Sequence, residues 1–280
     1  MDKIKSRLAP VLWYAAVLSG LLIVLLPFAW AIASSLRPLS DVFRYTTPFS
    51  LRALVPIPFT LEAYANIFQK DFGRALLNTV FVCAATILGG LLLNSLAGFV
   101  FSKLRFPGKS IVFTIVLVTF MIPSEVIAIP LYMVARNLGI LNTYAALILP
   151  GIANGLAIFL FKQFFDEIPS DLIEAARVDG ASLFYVYGRI FVPLSKPAMI
   201  TAGLILFLFQ WNAFLWPLIS VSSPAHRLVQ VAMAYFHTEN QVLWNEQFAA
   251  TVIVALVPIM IILPLQRYFV QGIAGSGTKG

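Results

Sequence analysis

The sequence predicts an all-α integral membrane protein with six transmembrane helices and both termini in the cytoplasm. Three observations carry that prediction. First, 60% of the 280 residues are hydrophobic and only 11% are charged, where a soluble domain carries about a quarter charged residues; the mean hydropathy is +0.90. Second, a helix needs about 20 apolar residues to cross the hydrocarbon core, and six segments meet that length: 11–33, 75–100, 111–135, 143–161, 198–221 and 247–266. Glu125 is the one carboxylate inside any of them. Third, the net charge of +7 is distributed by side. With the N-terminus inside, twelve of the 19 Lys and Arg residues fall in the inner segments, and the two shorter outer loops carry only Arg136 and Arg227. This is the positive-inside pattern, so the basicity reflects topology and does not call for a nucleic-acid partner.

Span 1 is smoothly apolar and reads as a peripheral helix. Its apolar run of about 23 residues exceeds the roughly 7–15 of a signal peptide's apolar region, so it is expected to be retained. Span 2 carries Gly90, Asn94 and Gly98 on one face, and small residues at that spacing let helices approach closely in lipid. Asn94 is expected to bond a neighbouring helix. Cys83 stands alone in the sequence and forms no internal disulfide.

The later spans are interrupted. Span 3 reads MIPSEVIAIPLY, with Glu125 between Pro123 and Pro130. Span 4 contains LPGIANG with Asn154, span 5 contains QWNAFLWP, and span 6 contains Pro258 and Pro264. Broken helices at membrane depth occur where they are buried in protein or line a cavity, and an intramembrane carboxylate is a functional candidate by default. Glu125, Asn154, Gln210 and Asn212 are therefore expected to line a passage, with Trp211 as a stacking face suited to a polyhydroxylated ligand. Trp216 reads as an interfacial anchor. The two histidines, His226 and His237, lack the neighbouring ligands that a metal site needs. No catalytic, cofactor-binding or metal site is expected in this chain.

Two loops carry chemistry. Residues 162–196 hold nine of the 31 charged residues. There, Ser170 or Asp171 can cap a helix, and Asp171-x-x-Glu174 is spaced like a capping box. Asp179-Gly180 ends that helix, Ser182 caps a second one, and Pro193 and Pro197 stop it before span 5. The expected result is two short amphipathic helices hinged at a glycine on the membrane surface. Outside the membrane, the loop 222–246 mixes Arg227, Tyr235, Phe236, His237, Glu239 and Trp244.

The stretch EAARVDGASLFYVYGRIFVP (174–193) resembles the EAA signature of ABC-importer permeases: Glu174-Ala175-Ala176, then Gly180, Ile190 and Pro193. The likeness extends through FSKLRFPGK (101–109), LGILNTYAALILP (138–150), QWNAFLWPL (210–218) and QRYFVQG (266–272) to essentially the whole chain. It is greatest to the maltose-type second permease of the carbohydrate-uptake branch; glycerol-3-phosphate permeases share nearly all these motifs.

The resemblance implies a single permease domain over 1–280, with a five-helix core at about 75–270, a cytoplasmic coupling loop at 166–196 and a tail at 271–280. It implies a bacterial or archaeal cell-membrane subunit that forms half the pathway of an ATP-driven importer for a sugar or oligosaccharide. The alternative is a permease for glycerol-3-phosphate or a glycerophosphodiester. Glu174, Ala175, Ala176, Asp179, Gly180 and Pro193 would couple to the ATPase. Tyr235, Phe236, His237 and Glu239 would meet the external solute-binding protein. The remaining partners implied are a homologous second permease and two ATP-binding subunits that hold ATP and Mg, so this chain is expected not to be an enzyme. The tail GIAGSGTKG misses a Walker loop because Thr278 precedes Lys279; the resemblance makes it a segment reaching between the ATPase subunits. A self-sufficient carrier is disfavoured, since such folds are commonly built from internal repeats and none is visible here.

Overall fold

The computed structural model describes residues 2–236 and 242–277, with backbone only for 2–9, 11 and 267–277. The chain forms two compact units, residues 1–73 with 233–256 and residues 74–232 with 257–280. Among the described residues the ordered elements are helices.

In the first unit, α1 (Asp2–Ser35) leads into an irregular stretch and then α2 (Glu62–Gln69). Most of the apolar side chains between Leu12 and Phe28 of α1 are uncovered; Leu22 and Ile23, for example, are exposed. That suits a helix whose surroundings are lipid. The stretch after α1 is organised by Arg37, which is fully buried. One of its Nη groups donates to the backbone carbonyls of Arg52 and Val55, and its guanidinium lies 5.4 Å from the centre of the Tyr45 ring. A buried charge is tolerated when it is hydrogen-bonded in this way. Lys70 and Glu246 pair at 2.6 Å, and Trp30 packs edge-on against Phe248 at 4.9 Å.

The second unit contains most of α3 (Phe72–Lys103), followed by α4 (Lys109–Met121), α5 (Ser124–Asn137), α6 (Tyr144–Ile152) and α7 (Gly155–Glu167). Next come α8 (Asp171–Val178), α9 (Leu183–Val186), a π-helical turn (Tyr187–Phe191), α10 (Val192–Leu194), α11 (Lys196–Trp211) and α12 (Leu215–Ser220). After α13 (Val229–Ala234), α14 (Trp244–Gly277) closes the chain. Four stretches are long and apolar enough to cross a membrane: Leu12–Ser35, Phe72–Lys103, Tyr144–Glu167 and Trp244–Gln266. Counting each of two sharply bent pairs as one span brings the number to six.

The expected interruptions take different forms. At 122–123 the chain bends by 104° between α4 and α5. Ile122 is extended there, with ψ 122°, because a following proline disfavours the helical conformation of its predecessor. Expected span 5 is divided: α11 stops at Trp211 and α12 begins at Leu215. The other bent pair, Leu183–Leu194 with Lys196–Trp211, turns by 82°. Pro197 opens α11 and does not stop the helix before it, a position where its missing N–H costs nothing. In contrast, α14 continues through Pro258 and Pro264, and its helical backbone takes in the glycine-rich tail as far as Gly277.

The core of the second unit is aromatic. Phe99 of α3 meets Phe191 at 4.9 Å and Tyr187 at 5.5 Å, and Phe165 of α7 meets Phe191 at 5.5 Å. Ala198 and Ala202 of α11 complete the same cluster. Helix α3 approaches α7 closely at Gly98, where an added Cβ would stand 2.5 Å from Phe161 Cβ and 3.0 Å from the Lys162 nitrogen. We therefore expect Gly98→Val to force α3 and α7 apart and to cost about 1–3 kcal/mol, as overpacking does. Gly203→Ala, whose nearest neighbour would be 3.8 Å away, should leave stability unchanged or raised. Thermal unfolding midpoints of the two purified variants in detergent check this.

Candidate functional site

A cavity of about 820 Å³ opens in the second unit, walled by α5, α6, the start of α7, α11, α12 and the turn between the last two. Its polar lining comes from Ser124, Glu125, Gln210, Asn212 and Trp216. Glu125 sits in the first turn of α5, immediately after the bend, where the helix N-terminus favours a negative charge. Among the described residues its carboxylate makes no hydrogen bond or ion pair, and neither lysine nor arginine lines the cavity. Gln210 is mostly buried. Its Oε1 would lie 2.9 Å from a Cβ placed on Gly151. Asn212 is exposed and donates to the Leu208 carbonyl at 2.8 Å.

Two of the expected lining residues do other work. Trp211 is fully buried, with its ring 5.4 Å from that of Phe207. A ring covered by its own chain offers no stacking face, so the Trp211 assignment is corrected. Trp216, expected only as an anchor, lines the cavity and donates its indole N–H to the Ala146 carbonyl at 2.8 Å. Asn154 is not among the lining residues. Its side chain caps α7 by accepting from the Ala157 N–H at 3.0 Å, as asparagine at a helix start does well.

The break between α6 and α7 depends on Asn94. This side chain is fully buried on α3. Its Nδ2 donates to the Ile152 carbonyl at 2.9 Å, and its Oδ1 accepts from the Asn154 N–H at 3.0 Å. One amide thus replaces ladder bonds on both sides of the interruption. Next to it, Gly90 leaves room for Ile152 and for Leu206 of α11.

The second feature is the segment 166–196. Ser170 is the N-cap of α8, with no side-chain cap bond, so the expected capping box is not formed. The helix ends in a Schellman motif: the Gly180 N–H donates to the Arg177 carbonyl at 3.0 Å, and the Ala181 N–H to the Ala176 carbonyl at 2.9 Å. Gly180 has φ +82°, the left-handed conformation that glycine adopts without strain. Ser182 caps α9 as expected, accepting from Tyr185 N–H at 3.2 Å. Inward, Ile173, Ala176, Ala181, Val186, Tyr187 and Phe191 join the aromatic core. Outward, Glu174, Ala175, Asp179, Gly180 and Pro193 are exposed, with Val178 88% and Phe184 79% uncovered. The root is pinned by Asp166, which accepts from Ser102 and pairs with Lys162, both at 2.6 Å. Lys103 donates to the Ile168 carbonyl at 2.6 Å.

Of the four expected binding-protein contacts, Tyr235 is exposed. Phe236 is buried within its own unit, 6.2 Å from the Phe72 ring, so it presents no surface to a partner and that assignment is corrected. His237 and Glu239 lie outside the described residues.

Membrane-crossing helices around a polar-lined cavity, with an uncovered surface segment anchored in the core, make up the architecture of a transport permease. The chain belongs to the family of binding-protein-dependent transport system inner membrane components, whose model matches residues 87–275. Among curated relatives, the trehalose transport system permease protein SugB of Mycobacterium tuberculosis is 34% identical over 276 residues, covering 95% of this chain and 97% of its own. The sn-glycerol-3-phosphate transport system permease protein UgpE of Escherichia coli O1:K1 / APEC is 32% identical, with coverage of 94% and 95%. A chain from the crystal structure of a bacterial ABC transporter involved in import of the acidic polysaccharide alginate superposes with a TM-score of 0.81. It is 23% identical, with 95% of this chain and 98% of that one covered, and the match establishes the fold.

Replacing Asn94 by Ala would leave the Ile152 carbonyl and the Asn154 N–H unpaired in the interior. Each such group costs about 1–3 kcal/mol. We expect Asn94→Ala to lower the unfolding midpoint in detergent more than Asn212→Ala, whose amide bonds only one exposed carbonyl.

Proposed function

We propose that this chain forms one half of the transmembrane pathway of an ATP-driven importer for a neutral sugar or oligosaccharide. A homologous permease supplies the other half. Two ATP-binding subunits, which hold ATP and Mg, dock on the exposed Glu174, Ala175, Asp179, Gly180 and Pro193, while Ala176, expected among these contacts, faces the core. An external solute-binding protein delivers the cargo, with Tyr235 among its contacts, and this chain itself performs no catalysis.

The observation that carries the reading is the two-faced coupling segment. Its inner face is locked into the core through Val186, Tyr187 and Phe191, while Val178 and Phe184 stand uncovered on the same segment as the exposed carboxylates Glu174 and Asp179. Exposed apolar side chains in company with charged ones suit a docking surface, and the carboxylates offer charge-assisted bonds to a basic groove.

The charge of the cavity supports a neutral saccharide over a glycerol phosphate. Among the described lining residues the one ionisable group is the carboxylate of Glu125, which repels a phosphate and accepts hydrogen bonds from hydroxyls. A phosphate ester as cargo remains the second reading, on the strength of the UgpE relatives.

The test is uptake by the assembled transporter in proteoliposomes, with ATP inside and the binding protein outside. Gly180→Leu forces a side chain into a left-handed position at about 1–2 kcal/mol and places bulk on the exposed face, where, its chain neighbours aside, no described residue comes within 4 Å of an added Cβ. Uptake should fall at least tenfold while membrane insertion and solute capture by the binding protein persist; unaltered uptake would refute the docking assignment. Separately, Glu125→Ala, Gln210→Ala and Asn212→Ala should each lower uptake severalfold with basal ATP hydrolysis intact. If they reduce only the amount of folded protein, these residues are structural and the cavity is not the passage.

A further inference from the structure

We infer that Tyr187 and Ser95 form a positioning contact that transmits movement of the coupling segment to the wall of the cavity. This rests on the docking of ATP-binding subunits proposed above.

Tyr187 begins the π-helical turn Tyr187–Phe191, directly after the short helix α9. Single π turns widen a helix and are frequent at functional sites. Its ring lies in the aromatic core beside Phe99, and its hydroxyl lies 2.6 Å from Ser95 Oγ in the interior. Ser95 is fully buried. Its single hydroxyl hydrogen is directed at carbonyls of its own helix, chiefly that of Leu91, so the Tyr187 hydroxyl donates to Ser95. This is a side chain–side chain bond between the coupling segment and α3, spanning 92 positions in the chain.

The neighbours of Ser95 on α3 give the contact its consequence. The preceding residue is Asn94, whose amide holds both ends of the α6–α7 break at Ile152 and Asn154. One turn earlier, Gly90 seats Ile152 and Leu206. Next to Ile152 stands Gly151, which lines the cavity against Gln210. The coupling segment and the cavity are therefore joined through one short stretch of α3, residues 90–95, by hydrogen bonds and close packing. The α6–α7 break is the point in this stretch where the backbone lacks its own ladder and can shift. An axial displacement of α3 by the coupling segment moves the amide that splints the break, and the cavity wall moves with it.

Tyr187 touches neither solute nor nucleotide; it is a positioning residue. The readout that separates this role from a structural one is the yield of the machine, solute moved per ATP hydrolysed. The experiment uses the full transporter reconstituted with its binding protein, and compares wild type, Tyr187→Phe, Ser95→Ala and the double variant. Tyr187→Phe keeps the ring and its packing and removes only the hydroxyl.

We expect ATP hydrolysis stimulated by the binding protein to stay within about twofold of wild type. The yield should fall about fivefold in each single variant, the change that the loss of one ordinary hydrogen bond produces. The double variant should be no worse than either single one, because both remove the same contact. Single variants with wild-type yield would overturn the inference. So would losses that multiply in the double variant, or uptake and hydrolysis falling in step. Co-purification of the ATP-binding subunits with each variant reads docking independently. Failure of the wild-type chain to retain them overturns the docking reading and this inference together; a normal complex with unchanged yield overturns the inference alone.

Discussion

A single buried amide makes the architecture of the second unit possible. In hydrocarbon every backbone polar group must find a partner within the protein, so a helix interrupted between Ile152 and Asn154 would be costly unless something replaced its missing bonds. Asn94 does so from the neighbouring helix, donating on one side of the gap and accepting on the other. The arrangement requires α3 to come close, and it is flanked on α3 by the two glycines that permit it, Gly90 and Gly98. With the gap splinted, α6 and α7 can turn different faces to their surroundings. The first contributes Pro150 and Gly151 to the cavity, and the second packs Phe161 and Phe165 into the aromatic core.

The cavity and the coupling segment are built on opposite principles. The cavity is assembled at helix breaks: Glu125 follows one, and Gln210 and Asn212 border another. Its polar groups are sparse, and Glu125 and Asn212 leave acceptors that a solute's hydroxyls can use. The coupling segment has no such freedom. A Schellman turn, a serine cap, a buried tyrosine and a pinned root fix its backbone from Asp166 to Phe191. A site that must release its cargo has little reason to be saturated internally, whereas a segment that transmits force must not yield.

Much of this was legible in the sequence. Hydropathy located the spans, because apolar length is the strongest signal a membrane chain carries. The Gly90, Asn94 and Gly98 face was readable as a packing face, and Gly180 and Ser182 as helix punctuation. Spacing along a chain does not, however, tell which side of a helix end turns inward. That is why Trp211 is buried while Trp216 lines the cavity, and why Phe236 is buried. Pro123 was readable as a break but not as a 104° turn, since the angle depends on what α4 and α5 pack against. The Tyr187–Ser95 contact left no local trace, because nothing in the sequence pairs residues 92 positions apart.

The π turn has a consequence for chain length. From Tyr187 to Phe191 the helix holds one residue more than an α-helix would, and each residue of a helix is worth about 100° of rotation. A π turn takes up that residue within itself, so deleting it would restore the ordinary ladder and leave Glu174 and Val178 facing much as they do now. A residue removed from the ordinary helical turns beside it has no such reserve and would swing everything before it by that angle relative to α11. The interval from Gly180 to Pro193 can therefore change its count at the π turn and not next to it.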